Sequence, residues 1–573
     1  MRGLFPVLAL LVLAPLGTWR LGGFGRLGKL GGLSTWPGDV EVKTASGPVV
    51  GSSGLPGLRC AAFYGIPYAA PPTGANRFRP PQPAAPWAEP RSAKRVGASC
   101  LQKDGSWLPW WLEWFAQQFH VGDAGISEDC LFLNVWTPRP ADAAAGLPIM
   151  VWIHGGSYLS GSGDYGEDVP WYDGHQLCHE GNMVIVSMNY RLGVLGFYAS
   201  EELRAETGTA GNMGIQDQRA ALQWVQQNAR SFGGDPGRVT IFGESSGANA
   251  VVTHLTFPRS ASLFSAAIVQ SGGLWELPYS QAVDRSAQFA AAAGCGKGPA
   301  LECLRSRPAA DVLAVQASLQ SWSGAYSSTS GWQEPEPVAD GYELPFGTTS
   351  REVLRSGKFA AKPVIVGSNR NESELFYCPR PWSRFGPADM RAHLASDIAT
   401  FMRRRASQQQ LDRLMSLYDA SKYSGFWQRA YVDTSTDINY SCDSRDILDA
   451  VAKKGQPAFQ YVLGGNTWFF HADACYGTPH SADVFLLWRS LPILAPSGLG
   501  LGKRMARYWM DFARNHNPGS PWPEYSKDRG YLRLDTYEDT PKSQWKREQC
   551  DVFAAIRHLS PRSDAAVNGT VVM

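Results

Sequence analysis

No sign of charge dominates this chain. Its 53 lysines and arginines stand against 51 aspartates and glutamates, a formal net charge of +2 over 573 residues. That near balance argues against nucleic acid or an anionic membrane surface as the main partner. A stable membrane span is not expected either: the apolar stretch 4–16 is too short to cross a bilayer as a helix. With Arg2 ahead of it, the stretch reads as a secretory signal, although Pro6 and Pro15 interrupt it and no small-x-small cleavage site follows; the competing reading is a buried N-terminal helix. Zinc-protease and nucleotide signatures are missing. His179-Glu180 has no second histidine at the right spacing, and the glycine-rich 498–504 lacks the P-loop spacing and its Ser/Thr. No metal or nucleotide cofactor is therefore implied. Internal repeats, long Gly/Ser/Pro linkers and charge runs are absent from the middle of the chain. A length that would suit several ordinary domains of about 100–200 residues is thus read as one large domain with long insertions. The expected organisation is a signal peptide over 1–19, a Gly/Leu/basic segment over 20–36, a single domain over 37–560 and a tail over 561–573.

What is present centres on Gly243-Glu244-Ser245-Ser246-Gly247, set directly after the apolar run Val239-Thr240-Ile241-Phe242. A strand running at once into Gly-x-Ser-x-Gly describes a nucleophile elbow, in which small neighbours let strand and helix backbones pass close together. Alone the pentapeptide is a weak signal in a chain with 60 glycines. Its surroundings strengthen it. Short β-branched segments at 149–153, 184–188, 239–242, 266–269, 363–366 and 459–462 suit strands buried on both faces. Residues 217–228 have helical spacing and run towards a stop at Phe232-Gly233-Gly234. Alternating strands and helices imply an α/β fold with a mainly parallel sheet and right-handed crossovers. In such sheets the site lies at the carboxyl ends of the strands.

A serine nucleophile needs a base, and the base needs an orienting carboxylate; on this kind of scaffold the order is Ser, Asp or Glu, His. Six histidines follow Ser245: His254, His393, His471, His480, His516 and His558.

The segments Ser127-Glu128-Asp129-Cys130-Leu131, Trp152-Ile153-His154-Gly155-Gly156-Ser157-Tyr158, Gly211-Asn212-Met213-Gly214-Ile215-Gln216-Asp217-Gln218 and the elbow come in an order and at distances that resemble the carboxylesterase/cholinesterase family of α/β-hydrolases. The resemblance covers about 40–550 and is strongest over 128–273. It implies the α/β-hydrolase fold, a large mainly parallel sheet with helices on both faces, and a serine ester hydrolase working through an acyl-enzyme on a small-molecule ester. It also implies the site residues. Ser245 is the nucleophile. Gly367-Ser368-Asn369-Arg370-Asn371-Glu372 is similar to the family's Gly-x-Asn-x-Asp-Glu and makes Glu372 the acid, with Asn371 replacing Asp and Glu374 as a bland exposed alternative. His480, opening His480-Ser481-Ala482-Asp483, is similar to the family's His-Gly-x-Glu and is the base, with His471 as competitor. Gly156, Ser157 and Ser246 are the backbone donors of the oxyanion hole, Ser157 standing where Gly or Ala is usual.

The same resemblance pairs six of the ten cysteines, Cys100 with Cys130, Cys295 with Cys303 and Cys442 with Cys550. An even cysteine count and the signal-like start lead to the expectation of a secreted or secretory-pathway protein. Cys60, Cys178, Cys378 and Cys475 have no assigned partners; a bridge between the last two is conceivable, and buried thiols are the plainer reading. Family ion pairs are implied between Arg77 and Glu128 and between Arg191 and Asp217, and Ser271 resembles an accessory serine. Glu244 would line the pocket base. Asn439 and Asn568 match the glycosylation pattern; Asn371 matches too, but a glycan there would sit on the proposed acid. Trp107, Trp110, Trp111 and Trp114 crowd the Cys100–Cys130 loop, but His120 occupies the place where cholinesterases carry their cation-binding tryptophan. Neutral, hydrophobic esters are therefore expected, with lipase and cholinesterase left open. The alternative of a different class is a non-catalytic, neuroligin-like adhesion scaffold, whose usual loss of the nucleophile is not seen here.

Overall fold

Strands β1 (Cys60–Pro67), β2 (Phe132–Pro138), β3 (Leu147–Ile153), β4 (Val184–Met188), β5 (Gly234–Glu244), β6 (Ala266–Gln270), β7 (Val364–Asn369), β8 (Ala458–Leu463), β9 (Gly530–Leu534) and β10 (Thr540–Ser543) form one sheet in the computed structural model. Their order is β10-β9-β8-β7-β6-β5-β3-β4-β2-β1. The structure describes residues 38–53, 59–102, 124–138, 145–164, 171–319, 335–377, 385–465, 477–489 and 496–557. Residues Asp39–Met573 cluster as one compact unit.

From β4 through β9 neighbouring strands run parallel, while β1, β2 and β10 pair antiparallel at the edges. The interior strands are almost wholly apolar because both of their faces are covered. Period-2 alternation sends Val151, Ile153, Ile241, Val269 and Val366 into one core and Trp152, Phe242, Ile268 and Ile365 into the other. The first core is closed by helices α1 (Met213–Asn228), α2 (Ser246–Thr256) and α3 (Cys442–Lys453). The second is closed by α4 (Ala482–Trp488) and α5 (Pro496–Asn515), whose Leu486, Met505, Trp509 and Phe512 are buried against it. This is the α/β-hydrolase arrangement, with a mixed sheet rather than a purely parallel one.

The six strands expected from their apolar runs are all present, most a few residues longer. The edge strands β1, β2, β9 and β10 were not read from the sequence. β9 and β10 are short and carry Arg533 and Lys542, while the longer, mostly buried β1 and β2 are interrupted by Gly65, Asn134 and Thr137, so none shows the continuous β-branched run that marks a doubly covered strand. Among the described residues no helix is long and apolar enough to cross a membrane.

Disulfides join Cys100 to Cys130, Cys295 to Cys303 and Cys442 to Cys550. One assignment is corrected. Cys60 and Cys178 are not free thiols but form a fourth bridge with Cα atoms 6.3 Å apart, fastening the start of β1 to the helix His175–Gly181 that packs on the sheet edge. Cys378 and Cys475 lie outside the described residues. A second correction concerns Asn439, which is buried and donates its side-chain amide to Ser435 O at 3.0 Å; in the folded chain it cannot carry a glycan. Asn568, the 1–36 segments, the four tryptophans 107–114 and His120 lie outside the described residues.

Candidate active site

The elbow is held by contacts that only glycine permits. A Cβ on Gly247 would fall 2.1 Å from Ile153 O, and one on Gly243 2.6 Å from the same atom. With β5 and β3 so close to the start of α2, Ser245 adopts φ 59°, ψ −127°, a strained backbone for a residue with a side chain. It is pinned by its N–H donating to Gln270 O at 3.0 Å.

Beyond β3, the tract Gly155-Gly156-Ser157 folds back over this turn. A Cβ on Gly155 would come 3.0 Å from Ser245 Cβ, and one on Gly156 (φ 109°) 2.3 Å from Ser160 O. Ser157 also has a left-handed backbone, φ 57°. Among the described residues no group accepts from the N–H of Gly156, Ser157 or Ser246, which leaves the three candidate oxyanion donors unspent. Tyr158, which the sequence reading passed over, stitches the tract to α2. Its N–H donates to Ser246 Oγ at 3.2 Å and its hydroxyl to Asn249 Oδ1 at 2.6 Å. His154, stacked on Tyr190 at 4.3 Å, is structural: burial pushes it down to about 4, against one main-chain contact to Gly155 O, so its ring is neutral.

Glu372 follows β7 and His480 follows β8, adjacent parallel strands, so the acid and base loops emerge side by side. His480 Nδ1 lies 2.6 Å from Glu372 Oε2, and both side chains are buried. The other carboxylate oxygen, Oε1, accepts from Asn369 N at 2.5 Å. Burial pushes Glu372 upward and the facing imidazole pulls it back. Ser271 lies close enough to help hold its charge, although its hydroxyl falls short of hydrogen-bond geometry.

The two loops are clasped by main-chain bonds from Asn371 N to Thr478 O at 3.1 Å and from His480 N to Glu372 O at 3.2 Å. Asn371 Oδ1 adds a bond from Thr478 N. Glu374 is corrected here. It is no exposed bystander: its carboxylate accepts from Gly477 N at 2.5 Å, and burial pushes it up to about 7. His471, the competitor for the base, lies outside the described residues.

The second imidazole nitrogen has a neighbour that the sequence reading named only in outline. Nε2 is 3.3 Å from Glu244 Oε1, short of a well-formed hydrogen bond. Burial lowers His480, but the carboxylates of Glu244 and then Glu372 outweigh it and raise it to about 9. Burial raises Glu244, and the facing imidazolium of His480 and the Ser481 hydroxyl pull it back towards the charged form. The imidazole ring is flanked by Tyr440 at 5.1 Å and Phe376 at 5.3 Å, with Trp275 against Tyr440 at 5.6 Å. Tyr440 reaches this place from a π-helical turn, Asp437–Ser441, a local widening with no sequence signature.

The implied ion pairs stand where the resemblance puts them. Arg77 grips Glu128 through two bonds of 2.7 Å, and Arg191 grips Asp217 through two of 2.8 Å. The second pair, buried on both sides, ties the loop after β4 to the first turns of α1.

The sequence profile of the carboxylesterase family matches residues 38–553. An acetylcholinesterase of Bungarus fasciatus is 32% identical over 570 residues, covering 92% of this chain and 87% of that one. Liver carboxylesterase 1 of Mus musculus is 32% identical over 499 residues, covering 83% and 85%. A fumonisin B1 esterase of Sphingopyxis macrogoltabida is 38% identical over 337 residues, 58% of this chain and 56% of its own length.

Proposed function

The chain belongs to the carboxylesterase family, a family of carboxylic ester hydrolases, and from that premise we propose that it cleaves neutral, hydrophobic esters through an acyl-enzyme on Ser245. The observation that carries this reading is the buried pair of His480 Nδ1 and Glu372 Oε2, 2.6 Å apart. It lies beside the elbow, with Glu244, the residue before Ser245, 3.3 Å from Nε2.

In the proposed reaction Ser245 Oγ attacks the ester carbonyl while His480 Nε2 takes its proton. Glu372 keeps the other ring hydrogen on Nδ1 and balances the imidazolium. The N–H groups of Gly156, Ser157 and Ser246 receive the negative charge that develops on the carbonyl oxygen, each donor being worth about 100- to 1,000-fold in rate. The imidazolium then protonates the leaving alcohol, and water repeats the sequence to release the acid. Nε2 makes no hydrogen bond to Ser245 before substrate binds; such contacts commonly tighten only in the substrate complex.

The rings of Tyr440 and Phe376 beside the imidazole offer apolar surface to a hydrophobic ester, while the preference for a neutral one rests on the sequence, where His120 stands in place of the cation-binding tryptophan. The disulfides support a secretory route, since such bonds persist in oxidising compartments. Labelling by a fluorescent organophosphate tests the reading: one label per chain in the wild type and none in Ser245→Ala is expected. Full labelling of Ser245→Ala would overturn the nucleophile, and no ester turnover by the wild type would favour a binding scaffold. Butyl or phenyl acetate should have a kcat/KM at least comparable to acetylcholine. A hundredfold advantage for acetylcholine would replace the neutral-ester reading with a cholinesterase.

A further inference from the structure

Directly after His480 the chain enters a left-handed turn. Ser481 has φ 65°, ψ 4°, a conformation that favours glycine, and the family pattern has glycine at this place. A side chain kept there against its backbone preference points to a use for its hydroxyl. That hydroxyl donates to Glu244 Oε1 at 2.8 Å, and the same oxygen stands 3.3 Å from His480 Nε2. The residue before the nucleophile and the residue after the base are thus joined, Ser481 to Glu244, while Nε2 faces the carboxylate oxygen that Ser481 holds.

We propose that Ser481 is a positioning residue that keeps the Glu244 carboxylate charged and aimed at His480 Nε2, so that Glu244 competes with Ser245 for that nitrogen and holds the base in its protonated, resting form. The proposal rests on the assignment of His480 as the base. A hydroxyl donor stabilises the ionised carboxyl over the neutral one. The ionised carboxyl in turn stabilises the imidazolium, and a protonated imidazole cannot accept the serine proton.

The other groups facing this pair leave the effect to Ser481. Glu372 holds Nδ1 from the β7 side. Asp483, on α4, is engaged by Gln270, Asn369 and Tyr461. Tyr461, on β8, is a phenol pushed far above neutral pH by burial and the charge of Asp483. Tyr440 and Phe376 present rings, and Ser271 sits on the Glu372 side. Ser481 is the group that donates to Glu244 among the described residues.

Removing the hydroxyl should therefore let Glu244 take up a proton more readily and let His480 lose its proton at lower pH. Ser481→Gly suits the left-handed backbone and should fold. Losing one hydrogen bond to a charged group raises Glu244 by about one unit, so the acid limb of the kcat/KM profile, read at His480 through that charge, should move to lower pH by up to about one unit. In a Glu244→Gln background, where the carboxyl cannot ionise, Ser481→Gly should add no shift. An unmoved limb, or an equal shift in the Glu244→Gln background, overturns the proposal. The downfield proton resonance of His480 Nδ1–H, identified by its loss in His480→Gln, reports the same titration without turnover. If the resonance moves as expected in a chain that hydrolyses no ester, the coupling stands and the esterase reading falls; if it does not move, the coupling falls.

Discussion

Glu372→Gln changes one atom of the acid and tests how the base is oriented. The carboxylate is used at both oxygens: Oε2 faces His480 Nδ1 at 2.6 Å and Oε1 accepts from Asn369 N at 2.5 Å. A carboxamide offers one acceptor and one NH2 group. The Asn369 N–H is main chain and cannot turn away, so the amide oxygen must stay with it, and the NH2 then points at Nδ1. Nδ1 can meet that donor only as an acceptor, which moves the ring hydrogen to Nε2. The nitrogen that should receive the serine proton is already occupied. Loss of the correct tautomer in a serine hydrolase costs about 10,000-fold in kcat, or about 5 kcal/mol at about 1.36 kcal/mol per decade. The assay is steady-state hydrolysis of p-nitrophenyl acetate, with thermal unfolding to verify that the variant is folded. KM should change far less than kcat, because the ester does not touch this oxygen. Glu374→Gln is the control: its amide oxygen can still accept from Gly477 N, so less than a tenfold loss is expected. A loss below tenfold in Glu372→Gln, or equal losses in the two variants, would refute the reasoning.

Asp217→Asn should cost about 3–5 kcal/mol in urea unfolding, because it leaves the buried Arg191 guanidinium without its countercharge. Gly247→Ala, whose Cβ would fall 2.1 Å from Ile153 O, should yield little folded enzyme and no organophosphate labelling. Burial pushes Asp397 up from 3.8 to about 7, against the donor Tyr431, so the fold loses stability as pH rises through that interval; Asp397→Asn should gain more stability over the wild type at pH 8 than at pH 5. Non-reducing peptide mapping should find Cys60–Cys178 together with Cys100–Cys130, Cys295–Cys303 and Cys442–Cys550; a free thiol at Cys60 would contradict the bridge. Asn439→Gln should leave any glycan mass unchanged.

The elbow was readable because everything it needs is local. A β-branched run, two glycines and a serine lie within nine residues, 239–247, and the steric demand that selects those glycines acts between chain neighbours and the adjoining strand. The interior strands were readable for a similar reason: burial on both faces leaves unbroken apolar runs. The acid and base were implied by segments that resemble the family's patterns, and the structure brings Glu372 and His480, 108 residues apart, to 2.6 Å because β7 and β8 pair in parallel register. Other features had no local signal. Cys60 and Cys178 meet because β1 and a helix share the sheet edge. Asn439 is a glycosylation pattern in sequence and a buried helical amide in space. Glu374 passed for a surface charge until the histidine loop closed over it. The contact between Glu244 and Ser481 spans 237 residues. The sequence by itself carried the scaffold, through periodicity, and the candidate nucleophile, acid and base, through motifs that resemble those of the carboxylesterase family, each read along one stretch of chain. The tertiary structure alone decided which groups face the imidazole and which polar side chains are buried, because those depend on where loops from different strands meet, and no stretch of chain records that distance.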